Sequence, residues 1–143
     1  MVKPGIILLL TIWLGIMFFS SCGKENFHPV PNVMVDIRIN IENPSYAALN
    51  TVGNSVSVSG GYRGIIIYRV GLNEFTAFDR SCPHHPWEQC AVVNGQLGQP
   101  FAKCDCCQTT YQLLDGSKFS GPSLFPLRAY RVTFLHPFLS INN

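Results

Sequence analysis

The sequence predicts a small all-β domain, an antiparallel barrel or sandwich, on three observations. Apolar and polar side chains alternate without a fault from Val33 to Ile41. Short strand-like runs then recur to the end of the chain, each bounded by Gly, Pro or Asn. No segment beyond residue 21 repeats its apolar residues at a convincing helical interval.

Taken in order, the chain opens with Lys3 and then an apolar run of fourteen residues, Ile6 to Phe19. That is too few to cross a bilayer comfortably as a helix, and it suits the core of a signal peptide. The run ends in Phe19-Ser20-Ser21-Cys22, which resembles a bacterial lipoprotein cleavage box. Small residues admit the peptidase, and the cysteine thiol receives a diacylglycerol. The expectation is a signal peptide over 1–21, removed on export, and a lipidated Cys22 as the mature N-terminus. An ordinary secretory signal with Cys22 as a spare thiol is the alternative. A lipid anchor holds a protein on a membrane without spanning it, each buried methylene contributing roughly 0.8 kcal/mol. The implied location is the cell envelope. Gly23 stands where an aspartate commonly retains lipoproteins at the inner membrane, which favours the outer membrane. Residues 22–32, with Pro29 and Pro31 among mostly polar neighbours, read as a tether, and 33–143 as the domain.

Within the domain, Val33, Val35, Ile37, Ile39 and Ile41 share one face of the first strand, and Met34, Asp36, Arg38 and Asn40 the other. Asn43-Pro44 ends it. Val56 to Ser59 alternates briefly before Gly60-Gly61 turns the chain into the more buried Gly64 to Val70. Gly71 and Asn73 lead into Glu74 to Asp79. Further strands are expected over Leu97 to Lys103, Thr110 to Leu114 and Ala129 to Leu135.

Of the 143 residues, removal of the first 21 leaves 122, enough for one core and one domain. Lys3 alone among the charged residues goes with them, so ten basic and eight acidic side chains become nine and eight. A net charge near +1 argues against nucleic acid as a partner, since that needs a concentrated basic face. Neither a Ser-His-Asp set, nor a phosphate loop, nor a paired acidic motif stands out.

Chemistry concentrates in two clusters: Cys82-Pro83-His84 and, after nineteen intervening residues, Cys104-Asp105-Cys106-Cys107. Setting Cys22 aside as lipidated leaves five cysteines, and an odd count resists a purely disulfide explanation. Three thiolate ligands and one disulfide use all five. Soft thiolates with an imidazole suit either a sulfide-bridged iron pair or a tetrahedral Cys3His zinc.

The spacing resembles the two-loop pattern of Rieske [2Fe-2S] domains, in which each loop offers one ligand to each iron. The likeness runs from Gly60 to Val132 through Ile65-Ile66-Ile67-Tyr68-Arg69, Glu74-Phe75-Thr76-Ala77-Phe78-Asp79, Cys82-Pro83-His84, Tyr111-Gln112-Leu113-Leu114-Asp115-Gly116 and Gly121-Pro122. It implies a Rieske-like barrel with two metal-binding loops at one end and a [2Fe-2S] cluster held by Cys82, His84, Cys104 and Cys107. Cys107 stands where the family has its second histidine. High-potential members tie the two loops with a disulfide, which implies Cys90 with Cys106; the reverse assignment, Cys106 as ligand and Cys107 in the disulfide, stays open. Thr109 and Tyr111 stand at the offsets where those members place hydroxyls that donate to sulfur. Replacing one neutral imidazole by a thiolate makes the oxidised cluster one charge more negative. Its potential is therefore expected between about −400 mV for all-cysteine ferredoxins and the Rieske range of roughly −150 to +300 mV. Gly121-Pro122 resembles the proline loop over the cluster, but Ser123-Leu124-Phe125-Pro126 departs from it. The implied role is an electron carrier, or the redox subunit of an oxidoreductase, serving partner proteins at a membrane. A Rieske-like barrel with structural zinc, or one that has lost its metal and is held by disulfides, is the alternative.

Overall fold

A computed structural model describes residues 27–143. The signal-peptide segment and Cys22 lie outside the described residues. Ten strands and one 3-10 helix follow in order: β1 (Asp36–Asn40), the helix (Pro44–Asn50), β2 (Ser55–Val58), β3 (Ile65–Arg69), β4 (Phe75–Asp79), β5 (Val93–Gly95), β6 (Phe101–Cys104), β7 (Thr110–Gln112), β8 (Lys118–Ser120), β9 (Ala129–Leu135) and β10 (Phe138–Asn142). They form an antiparallel six-stranded sheet, β1-β10-β9-β4-β3-β2, and a four-stranded sheet, β5-β6-β7-β8. The all-β antiparallel architecture is the one expected. Among the described residues no helix is long and apolar enough to cross a membrane.

The strand β3 explains how the two sheets share a core. Ile65 and Ile67 belong to one apolar cluster, with Val35, Ile39, Ile41, Leu49, Ala77, Tyr130, Leu139 and Ile141. Ile66 and Tyr68 belong to another, with Phe78, Val93, Ala102, Tyr111, Leu113 and Leu127. A strand buried on both faces reads as a continuous apolar run rather than an alternation, and Ile65-Ile66-Ile67-Tyr68 does so. The second cluster also contains Cys82 and Cys104, so the core continues into the thiols.

Four elements depart from the expected set. The 3-10 helix starts at an Asn43 cap whose side chain accepts from the Ser45 backbone, with Pro44 entering its first turn. It buries only Leu49, too little to register as a helical period. Strands β5 and β8 are three residues each, below the length at which alternation can be read. Strand β10 was legible, since Leu139 and Ile141 alternate inward, but it follows β9 after only His136 and Pro137. Residues 97–100 form a turn, with Gly98 at φ 72°, so β6 begins only at Phe101. Before β1, Val30 is fully buried and its carbonyl accepts from Arg128, while His28 is bonded to the Pro126 carbonyl. The last residues of the expected tether are thus packed on the domain.

One buried anion organises the junction of β4 with the neighbouring turn. The fully buried Asp79 carboxylate accepts from the backbone N–H groups of Tyr62 (2.5 Å), Arg63 (3.3 Å) and Ser81 (2.7 Å) and from the Tyr130 hydroxyl (2.7 Å). Burial, and then Asp79 itself, hold the Tyr130 phenol above its usual range. Gly61 lies beside this group at φ 62°, and a Cβ there would run into the Asp79 carboxylate and stand 2.6 Å from the Tyr130 oxygen. Replacing Asp79 by Ala leaves several buried donors unpaired, so stability is expected to fall by about 3 kcal/mol or more, against about 1 kcal/mol for Tyr130→Phe. The shift in urea midpoint at constant slope measures both.

Candidate metal centre

The first loop leaves β4 directly after Asp79. The Cys82 N–H donates to the Ala91 carbonyl at 2.9 Å and Ser81 bridges to Val92, which closes residues 82–91 into a compact excursion. Arg63, from the turn between β2 and β3, holds that excursion from outside. Its guanidinium donates to three loop carbonyls, Pro86 at 3.0 Å, Trp87 at 3.1 Å and Gln89 at 3.3 Å. The second loop is the tight turn between β6 and β7, closed by Cys104 N–H to the Thr109 carbonyl (2.9 Å) and Gln108 N–H to the Cys104 carbonyl (3.1 Å), with Gln108 at φ 61°.

Two links tie the loops together. Cys90 and Cys106 form a disulfide with Cα atoms 5.1 Å apart, and the Asp105 N–H donates to the Val92 carbonyl at 3.1 Å. A third segment packs against the second loop from behind. Ser123 is fully buried with its N–H 3.4 Å from the Thr109 hydroxyl, and a Cβ on Gly121 would stand 2.5 Å from Thr109 Cα. The Gly121–Ser123 stretch therefore walls the second loop, even though its sequence departs from the expected form.

The three free cysteines of the described residues, Cys82, Cys104 and Cys107, converge here, their Sγ atoms all within 4.8 Å of one another. Cys82 and Cys104 are buried and Cys107 is partly exposed. The Cys82 and Cys107 sulfurs are 3.5 Å apart. Tyr111 Oη lies 3.5 Å from Cys82 Sγ, and Thr109 Oγ1 lies 3.0 Å from Cys107 Sγ. Both hydroxyls thus touch sulfur. His84 and His85 line the same cavity of about 160 Å³, with Glu88 and Ala91. His84 stands outside the compact sulfur group, its ring 4.1 Å from that of His85, which in turn meets the exposed Trp87.

Burial pushes the Cys82 thiol up to about 12, and it raises Cys104 as well. For Cys107 burial acts the same way, but hydrogen bonds from the Thr109 hydroxyl and backbone, and from Cys104 and Cys82, outweigh it and bring the thiol below its ordinary value. Burial, then the contact with Cys82, raises the Tyr111 phenol. Among the described residues no Lys or Arg lines this cavity. Three thiolates gathered without a cation repel and are poorly solvated, so the charge that suits them is that of a metal. Three soft sulfur donors with an imidazole on the rim fit a soft or borderline metal. Sequence reasoning assigned no role to Arg63, Asp79 or Ser123, whose parts depend on contacts made across the fold.

No known family model matches the chain, and no curated protein matches it in sequence. Solved structures do. The cyanobacterial plasma-membrane Rieske protein PetC3 from Synechocystis PCC 6803 aligns with a TM-score of 0.58 at 15% identity, over 75% of this chain and 99% of that one. The ferredoxin of carbazole 1,9a-dioxygenase from Nocardioides aromaticivorans IC177 aligns with a TM-score of 0.53 at 14% identity, over 78% and 98%. A complex of reduced oxygenase and oxidised ferredoxin in carbazole 1,9a-dioxygenase matches with a TM-score of 0.50 at 21% identity, over 64% and 82%. At these identities the likeness is one of architecture, and the architecture of this chain is Rieske-like.

Proposed function

We propose that the protein is a one-electron carrier that holds a [2Fe-2S] cluster on Cys82, His84, Cys104 and Cys107 and passes electrons between partner proteins at a membrane surface. The observation that carries this reading is the convergence of three thiols and a histidine-lined cavity at two disulfide-tied loops of a Rieske-like fold. When bound, such a cluster supplies reversible one-electron reduction. The chain's own part is to bind, shield and tune. The buried Cys82 and Cys104 exclude water on the core side, while the partly exposed His84 faces the rim as the point of electron exit. The Thr109 and Tyr111 hydroxyls are in reach to donate to sulfur, which favours an added electron. A redox partner is in keeping with the oxygenase–ferredoxin complex among the similar structures. The signal peptide over 1–21, the lipidated Cys22, the tether over 22–32 and the domain over 33–143 complete the proposal, with the outer membrane as its site.

A second reading is favoured by the compactness of the sulfur group. Zinc–sulfur bonds of about 2.3 Å in a tetrahedron place sulfurs about 3.8 Å apart. Sulfurs on two bridged irons sit farther from one another than those on one. The 3.5 Å between Cys82 and Cys107 is thus a single-ion distance, and a structural Cys3His zinc with His84 as fourth ligand uses the same residues.

Metal and sulfide analysis of the full chain, produced in a host that assembles iron-sulfur clusters, separates the two. Two irons and two sulfides with a paramagnetic signal after dithionite is the expected result; one zinc in colourless protein establishes the second reading, and metal-free folded protein overturns both. In the iron-loaded protein, Thr109→Val and Tyr111→Phe are each expected to lower the reduction potential by tens of millivolts, read by spectroelectrochemistry. Cys22→Ser is expected to move the protein from the membrane pellet to the soluble fraction on cell fractionation, and persistence in the pellet removes the lipid anchor.

A further inference from the structure

The pair Cys82 and Cys107 has a capacity that metal ligation does not use. Their sulfurs are 3.5 Å apart and come from different loops. A disulfide bond is about 2.05 Å long, so closure needs the two sulfurs to approach by about 1.5 Å. The same two loops are already joined by Cys90–Cys106 and by the Asp105–Val92 hydrogen bond. The second crosslink therefore closes no new long loop, and its partners are held at high effective concentration. Exposure divides the roles. Cys107 is the partly exposed member and Cys82 is buried, so an oxidant from solvent meets Cys107 first and Cys82 stands behind it. Cys104 is buried like Cys82.

We propose that Cys82 and Cys107 form a redox-sensitive thiol pair that closes a disulfide in the metal-free chain and thereby bars metal from the site. A low-molecular-weight disulfide is the oxidant. The Cys107 sulfur, its proton released to solvent, attacks one sulfur of the oxidant; a mixed disulfide forms at Cys107, and one thiolate leaves. The Cys82 sulfur then attacks Cys107, the second thiolate leaves, and the Cys82 proton goes to it. Two protein thiols are oxidised and one small disulfide is reduced to two thiols. Closure removes two of the four donors, and it leaves Cys104 as a lone thiol. The pair exists because position 107 carries sulfur: a histidine there cannot be crosslinked. The inference rests on the reading of these residues as metal ligands, and it makes metal loading a step that must precede oxidation.

The test treats the metal-stripped full chain with oxidised glutathione, alkylates the remaining thiols, and maps disulfides by mass spectrometry without reduction. The expected map shows Cys82–Cys107 beside Cys90–Cys106, with Cys104 alone alkylated of the three free thiols at the site. The oxidised chain is then expected to take up iron with sulfide, or zinc, at least about tenfold less than the untreated chain, because ligands must be free to bind. The Cys107→His chain under the same treatment is expected to keep Cys82 and Cys104 alkylatable. Three alkylated thiols after oxidation, glutathione resting on Cys107 with no link to Cys82, or a Cys82–Cys104 link overturns the proposal. The map is read on metal-free wild-type protein, so it stands or falls whether the loaded site proves to hold iron or zinc.

Discussion

The carboxylate of Asp79 is the constraint on which the metal-binding end depends. It is a carboxylate inside the protein that forms no ion pair among the described residues, held instead by three backbone N–H groups and a phenol. Such burial is costly unless every oxygen finds donors, and the donors here come from three separate places: the β2–β3 turn, the start of the first loop, and β9. The turn so fixed places Arg63, whose guanidinium fastens Pro86, Trp87 and Gln89. The next residue, Cys90, carries the disulfide to the second loop. A line of contacts thus runs from one buried charge to both loops. Shifting any member of it moves thiols that have to meet within a few tenths of an ångström.

Core and site are not separate compartments. Cys82 and Cys104 lie in the same apolar cluster as Ile66, Phe78 and Leu113, and Tyr111 packs in that cluster while its hydroxyl reaches sulfur. Any group that binds the thiols therefore adds to the same free energy that holds the two sheets together. The converse also holds: loosening the packing around Leu113 or Val93 disturbs sulfur positions without touching a ligand. The third wall adds a steric limit, since Gly121 has no room for a side chain against Thr109.

Much of this was legible in the sequence, and the boundary of legibility has physical causes. Alternation from Val33 to Ile41 announced β1, the apolar stretch within Gly64–Val70 announced a more buried strand, and Ala129–Leu135 was bounded to the residue. The three-residue strands β5 and β8 were not readable, because their pairing is set by neighbours rather than by their own pattern. The cysteine spacing pointed to the sulfur cluster, and the family likeness pointed to Cys90 with Cys106. His84 stands outside the compact sulfur group with its ring against His85, an arrangement that no spacing encodes. The parts played by Arg63 and Asp79 were hidden for a related reason. A charged residue beside Gly60-Gly61 and one at a strand end look like ordinary surface groups until the fold brings their partners to them.

The seating of residues 28–30 bears on how the domain responds to load. Arg128 grips the Val30 carbonyl and His28 is bonded to Pro126, so the chain preceding the domain departs beside the segment that runs back to Ser123 and Thr109. A pull on the N-terminus is resisted first by these few bonds and by buried Val30, ahead of β1. Tension is thereby carried first into the Phe125–Arg128 segment, which leads into β9. A domain tethered through its N-terminus would therefore feel load at these contacts before it reached β1.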